Sequence, residues 1–412
     1  MHIFYKRLLL VLAFTIICDK AVSQPVTRPR SFVCQLQSID LEAIAQTSFD
    51  WVIIDYSADG SDETAYTAAE IEAVKNSNNR QKTVLAYLSI GEAEDYRFYW
   101  QASWHPGNPA WLGPENNAWT GNYTVQYWHT EWRQIVLTYL DKIIDAGFDG
   151  VYLDLVDAYI TFADAGRVTA AVEMAGLVDI LARHGRNYKT DFLVIPQNGA
   201  HLAEEVAWYL DVVDGIGQED LHYGYLGDGI ATPSNVTAEI ESVLDTYRNQ
   251  GKTVLTIDYP FSDGNIPLFD LQTQIRIDDA YSRSLTKGYI PYCTVRDLDQ
   301  LIINPGHEPT GIINFNHLDN SEGVGLTGHP NPSNGSMIIQ FDVKTSGQVN
   351  LAVADVRGRQ AKTLVKGWMP SGQHAISWDG TDEDHRSVPG GLYIVTLRMS
   401  NKTDCIKLLL VR

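Results

Sequence analysis

From residue 31 to residue 305, short β-rich runs alternate with helical stretches, and this alternation limits what the chain can fold into more than any other feature. The runs are Asp50–Asp55, Lys82–Ser89, Thr124–Trp128, Asp149–Asp154, Asp191–Asn198, Val212–Glu219, Thr253–Asp258 and Gly288–Cys293. Each is a short apolar run of the kind a parallel strand covered on both faces requires. Helical stretches lie between them, as at Glu131–Ala146, Arg167–His184, Ala238–Gln250 and Leu271–Thr286. Eight strand–helix units in about 275 residues predict an α/β fold, a (β/α)8 TIM barrel. A doubly wound sheet is the competing arrangement, but no G-x-G-x-x-G loop follows the first run.

The pattern changes after residue 305. Residues 306–330 are rich in Gly, Pro, Asn and His and read as a linker after a barrel domain at 24–305. Within 331–412 the runs MIIQFDV, QVNLAVADV, QHAISW, LYIVTLRM and CIKLLLV recur between turn clusters, the pattern of a small C-terminal β-sandwich.

Residues 1–23 read as a signal peptide. Lys6 and Arg7 precede an apolar run, Leu8–Ile17, and Ala21-Val22-Ser23 offers a small-x-small cleavage site. Ten apolar residues fall short of the ~20 that span a bilayer, and no later segment comes close, so a secreted protein without a membrane span is expected. Cys18 follows the bulky Ile17, which suits a lipidation site poorly. Cys34, Cys293 and Cys405 are widely separated and form no CxxC, so they read as core thiols.

Acidic residues outnumber basic ones 51 to 31, a net charge of −20. Such a field repels a phosphate backbone, which argues against a nucleic-acid partner, and attracts cations. Solubility alone is the simpler explanation of the charge, so a cationic substrate has to be argued from the site.

In a barrel of this kind the chemistry gathers where the strands end. Here a polar group ends nearly every run: Asp55; Ser89 with Glu92; Asp154 with Asp157; Gln197-Asn198; Glu219-Asp220; Asp258-Tyr259; and Arg296 past the last. A single Asp after a strand is most often a helix N-cap. A ring of carboxylates is harder to explain that way, because the charges repel unless paired, metal-bound or shifted in pKa. His129, His201 and His222 show no H-x-H or H-E-x-x-H spacing, so neither metal nor cofactor is expected. Two carboxylates without metal meet the requirement for glycoside hydrolysis. Six of ten tryptophans, Trp100, Trp104, Trp111, Trp119, Trp128 and Trp132, fall in and around the long loop after Ser89. Their rings can stack on sugars; about half, Trp128 and Trp132 first, are expected to pack the loop instead.

The stretches Tyr87-Leu-Ser-Ile-Gly-Glu-Ala-Glu-Asp-Tyr-Arg97, Gly147-Phe-Asp-Gly-Val-Tyr-Leu-Asp154 with Asp157, Pro196-Gln-Asn-Gly199 and Gly217-Gln-Glu-Asp220 resemble glycoside hydrolase family 114. That family comprises barrel-fold endo-α-1,4-polygalactosaminidases and relatives. The resemblance implies catalytic carboxylates at Asp154 (acid/base) and Glu219 (nucleophile), a retaining course, and an amino-sugar polymer, partly cationic, as substrate. It further implies subsite roles for Asp55, Tyr87, Glu92 and Asn198; Ser89, Trp100, Trp119, Asp157, Asp220, Asp258 and Tyr259 complete the expected substrate-binding set. His329-Pro-Asn-Pro-Ser-Asn-Gly335, Asp355-Val-Arg-Gly-Arg359, Trp378-Asp-Gly380, Pro389-Gly-Gly-Leu-Tyr393 and the basic end resemble a type IX secretion sorting domain. The same sandwich is similar to the immunoglobulin-like domain of flagellar hook-capping proteins. That resemblance implies a secretion-machinery partner in a Gram-negative exporter and an extracellular or surface-attached enzyme.

Overall fold

The computed structural model describes residues 28–309, except 79, 263–266 and 268, and residues 326–411, except 330, 334, 344, 356–358, 385, 400 and 401. The expected signal peptide and positions 310–325 of the expected linker lie outside the described residues.

Eight parallel strands form a barrel: β1 (Phe32–Gln35), β2 (Trp51–Ile54), β3 (Thr83–Ser89), β4 (Gly150–Asp154), β5 (Leu193–Pro196), β6 (Gly215–Glu219), β7 (Thr253–Asp258) and β8 (Ile290–Cys293). β1 to β5 pair in chain order, as do β6 to β8. A parallel bridge between Gln197 and Gly217 joins β5 to β6. Past β1, the N–H groups of Leu36 and Gln37 donate to the carbonyl of Leu298, past β8, at 2.7 and 3.2 Å, which closes the ring.

The sequence reading reaches eight strands with one wrong member. Thr124–Trp128 is not part of the barrel. Asn122–Val125 is the middle strand of an antiparallel sheet with Glu92–Glu94 and Leu112–Glu115, built inside the loop after β3. The strand that takes its place is β1, whose four residues are too few to show a period. Local β-propensity marks both segments as strands; only the available partners decide which sheet each joins.

The helices bury one face against the barrel. In Thr130–Asp145, Trp132, Val136, Tyr139, Leu140 and Ile143 are buried, the three-and-four spacing of one helical face, and each contributes roughly 2 kcal/mol of apolar burial. The helix starts where the side chain of His129 accepts the N–H of Glu131.

The C-terminal domain is a sandwich of two antiparallel sheets. Thr327–His329, Met337–Val343 and Gly372–Trp378 form one. Gln360–Met369, Gly347–Asp355, Gly391–Met399 and Lys402–Leu410 form the other. Met337, Ile339, Phe341 and Val343 pack with Val349, Leu351, Val353, Val395, Leu397 and Trp378 in the core between them. Gln360–Met369 escaped the sequence reading because it is an edge strand without a fully buried residue. Thr327–His329 lies inside the stretch read as linker. Cys34 and Cys293 are core thiols as expected, but Cys405 is exposed: its strand turns that side chain away from the core.

Candidate active site

Three sharp turns set the geometry of the barrel mouth. Leu155, Asn198 and Asp220, just past the ends of β4, β5 and β6, sit at φ of 56°, 57° and 57°, the left-handed region. Such a backbone costs about 1 kcal/mol or more for a side-chain-bearing residue, and strain of this kind concentrates at functional sites. Gly91 makes room for the first turn: a Cβ there would meet the Leu155 carbonyl oxygen at 2.3 Å.

The turns present Asp154 and Glu219 to a cleft of about 870 Å3. Tyr87 donates to Asp154 Oδ2 at 2.7 Å, and the Leu155 N–H donates to Oδ1 at 2.7 Å. Burial first, and then the Glu219 carboxylate, push the Asp154 carboxyl up to about 8. It therefore holds its proton at neutral pH. Glu219 is surrounded by donors: Asn198 Nδ2 reaches Oε2 at 2.9 Å, Gln197 Nε2 donates to the same oxygen, and the Tyr259 hydroxyl donates to Oε1. Asn198 also takes the Glu219 N–H on Oδ1 at 3.0 Å, so one amide holds both ends of the residue. Beneath the pair the buried Tyr152 phenol and Cys34 thiol are pushed up by burial, so both stay neutral.

Asp55, Tyr87, Glu92, Trp119, Asn198 and Tyr259 line this cleft together with Asp154 and Glu219. Their settings differ. Asp55 is closed in an ion pair with Arg97, Nη1 to Oδ1 at 2.8 Å and Nη2 to Oδ2 at 2.7 Å. Arg97 Nε also meets Glu94 Oε2 at 2.6 Å. Glu92 accepts from Asn116 Nδ2 at 2.9 Å, and burial raises its carboxyl. Trp119 is 48% exposed at the rim.

Five expected binding residues are not among those lining the cleft. Ser89 is buried and its hydroxyl donates to the Glu92 carbonyl. Trp100 packs between Trp104 and Tyr123, with ring centroids at 5.3 and 4.9 Å. Asp220 pairs with Arg296 Nη2 at 2.8 Å. Asp258 is fully buried, and its Oδ1 accepts the N–H groups of His222 and Tyr223 at 2.6 and 2.8 Å. Asp157 stands at the head of the helix Ala158–Asp164 without capping it, and burial and Glu219 push it up to about 6. Of the six tryptophans after Ser89, Trp119 is the one at the cleft. Trp111 and Trp132 are buried, and Trp128 lies under Arg167 at 3.6 Å.

The lining also includes Gln197, read from the sequence as a strand-end polar group but given no binding role, and Glu94, Arg97, Asn116 and Asp297, which sequence reasoning left out of the site. Arg97 had a signal: it is the basic residue that ends the acidic stretch Glu92–Arg97. Asn116 had none, since it reaches the mouth only through the folded insert.

A parallel barrel whose mouth holds one protonated and one hydrogen-bonded carboxyl has the machinery of a glycoside hydrolase. The family model of glycoside-hydrolase family GH114 matches residues 18–308, and that of the FlgD Ig-like domain matches residues 330–403. The chain belongs to glycoside hydrolase family 114. An uncharacterized protein of Methanocaldococcus jannaschii is 42% identical over 276 residues, 65% of this chain and 76% of its own length. One from Thermotoga maritima is 37% identical over 285 residues, 68% of this chain and 85% of its own. The glycoside hydrolase domain of PelA from Pseudomonas aeruginosa shares the fold, with a TM-score of 0.52 at 18% identity over 67% of this chain and 98% of that domain. No described helix is long and apolar enough to cross a membrane.

Proposed function

We propose that this glycosidase cuts an α-1,4-linked galactosaminoglycan-type exopolysaccharide within the chain, by a retaining two-carboxylate mechanism. The observation that carries the proposal is the unlike setting of the two carboxyls. Asp154, pushed up to about 8, protonates the departing glycosidic oxygen as general acid. Glu219, gripped by Asn198, Gln197 and Tyr259, attacks the anomeric carbon. Asp154 then takes the proton of the water that releases the glycosyl–enzyme.

Local charge supports a partly cationic polymer. Asp55 and Asp220 already have arginine partners. Glu92, held by Asn116, and Asp59, held by Thr64 and Ser61, line or border the cleft with neutral partners. These two are carboxylates in a position to take a substrate ammonium. Fully N-acetylated polymer should be cut more slowly, and added salt should raise KM. Equal rates on both polymers at all salt concentrations would remove the ammonium from the proposal.

The test is reducing-end release from partially deacetylated galactosamine polymer by wild type, Glu219→Gln and Asp154→Asn. Each substitution should cost ~10³-fold or more. Binding without release in all three would point to a non-catalytic polysaccharide-binding protein; neither binding nor release would mean a different polymer. For the C-terminal sandwich the proposed role is export, which predicts that removing 326–412 leaves the barrel inside an exporting host.

A further inference from the structure

Each of the two site carboxyls is reached by a tyrosine, and each tyrosine lies under an arginine. Tyr87, which donates to Asp154, has the Arg97 guanidinium 5.8 Å from its ring centroid. Tyr259, which donates to Glu219, has that of Arg296 at 4.1 Å. Both arginines are held by two carboxylates: Arg97 by Asp55 and Glu94, Arg296 by Asp220 and Asp228. The two arrangements differ in focus: Arg97 also lies 5.0 and 5.5 Å from the ring centroids of Tyr96 and Tyr139, nearer than to Tyr87, whereas Arg296 lies closest over Tyr259.

A guanidinium over an aromatic face withdraws electron density from the ring, so the phenol becomes a stronger hydrogen-bond donor. We infer that Arg296 is a positioning residue for Glu219: it orients and polarises Tyr259, whose hydroxyl then holds Glu219 Oε1 in place as an acceptor. Arg97 does the same for Asp154 through Tyr87. Neither arginine touches the reacting atoms in this scheme. The inference rests on the reading of Asp154 and Glu219 as the catalytic pair.

The geometry of Arg296 supports this over a purely structural or substrate-binding role. Its Nε binds Asp228 at 2.7 Å, its Nη2 binds Asp220 at 2.8 Å and the Gly224 carbonyl at 3.1 Å, and its Nη1 lies 3.4 Å from Asp220. All of its nitrogens are engaged, and its plane is left for the ring of Tyr259. The other titratable groups facing Glu219 are Asp154, Asp157, Asp220, Cys34 and Tyr152. None of them is a cation. The phenol of Tyr259 is the hydroxyl donor on Glu219, and Arg296 is the cation in contact with that phenol.

The two arms predict displacements of opposite limbs of the pH–rate profile. A donor to a carboxylate favours its charged form, so losing Tyr259's hydroxyl raises Glu219 and moves the acid limb of kcat/KM upward, by roughly one pH unit. Tyr87→Phe raises Asp154 in the same way and moves the alkaline limb upward, the acid limb staying where it is. Arg296→Met should move the acid limb up by roughly half a unit with KM little changed.

The deciding experiment is the cycle of wild type, Tyr259→Phe, Arg296→Met and the double variant, with folding checked by thermal melting and with Arg296→Lys as a milder change. The readouts are the pH–rate profile and the 13C titration of the Glu219 carboxyl, assigned by its loss in Glu219→Gln. The carboxyl titration needs no substrate, so a missing activity would sink the proposed reaction and leave the relay to be judged by the titration. If Arg296 acts through Tyr259, Arg296→Met displaces the Glu219 titration in wild type and adds nothing in the Tyr259→Phe background. An equal displacement in both backgrounds means that Asp220 and Asp228, stripped of their cation, act on Glu219 directly, and overturns the inference. So does the absence of displacement in both, or a change confined to KM.

Discussion

The guanidinium of Arg97 meets Asp55 with both terminal nitrogens, at 2.8 and 2.7 Å, and the two side chains are only 1% and 8% exposed. This pairing takes the first acidic strand end out of the pool of carboxylates that a cationic substrate could use. The same guanidinium binds Glu94, so a single cation serves two buried acids. Removing the shared cation from such a set leaves two acids uncompensated out of water, which costs far more than the pair itself contributes.

Arg97→Met should therefore destabilise the barrel by about 3 kcal/mol, because Asp55 and Glu94 lose the cation they share. Urea unfolding followed by tryptophan fluorescence reads this directly. A loss below ~0.5 kcal/mol would mean that the pair is effectively solvated.

Asp154→Asn is expected to remove activity and add stability. The folded carboxyl titrates at about 8, above the ~3.9 of an unfolded aspartate. Its contribution is fully present below pH ~4 and is lost as the pH rises through about 8. The neutral amide escapes that loss. The variant should match wild type near pH 4 and exceed it by about 1–2 kcal/mol at pH 8 to 9, less than the full shift because Asp154 borders a wet cleft. Melting curves at the two pH values decide it; equal stability at pH 9 would contradict the raised carboxyl.

Asp258 supports the turn after Glu219 and is not expected to touch substrate. Asp258→Asn keeps an oxygen for the His222 and Tyr223 N–H groups and should leave KM unchanged. Asp258→Ala strands both donors and should cost about 1–3 kcal/mol with a fall in kcat. The aspartate itself, raised to about 7 by burial, loses its stabilising contribution as the pH climbs through that value, so Asp258→Asn should gain on wild type above pH 7. A raised KM in the Asn variant would put Asp258 back among the binding residues.

The two rim candidates separate cleanly. Trp119→Ala should raise KM about tenfold, the value of one sugar-stacking contact, with no change in melting temperature, since the ring is 48% exposed. Trp100→Ala should do the reverse, because its ring packs against Trp104 and Tyr123. Isothermal binding with the inactive Glu219→Gln background, beside thermal melts, distinguishes the two.

Much of this architecture was written in the order of the residues. Short apolar runs ending in polar groups are what a buried parallel strand with a catalytic mouth demands, so the barrel and the positions of Asp154 and Glu219 could be read without coordinates. The family motifs lie on those same strand ends. β1 and the antiparallel insert could not be separated that way, because the short run at 32–35, three of its four residues apolar, and the β-branched and aromatic run at 124–128 carry the same local preference. The partner that completes each strand lies elsewhere in the chain.

The roles of the ring of carboxylates were decided by the tertiary structure alone. Asp55 and Arg97 are 42 residues apart, and Asp220 and Arg296 are 76 apart, so no local pattern shows that these acids are neutralised. Asp258 reads as one more strand-end acid until the fold brings the His222 and Tyr223 N–H groups onto it. Sequence determines which residues stand at the strand ends, because strand periodicity is local. Which of them remain charged and free for chemistry depends on burial and on cations brought in from distant strands, and those are properties of the closed barrel.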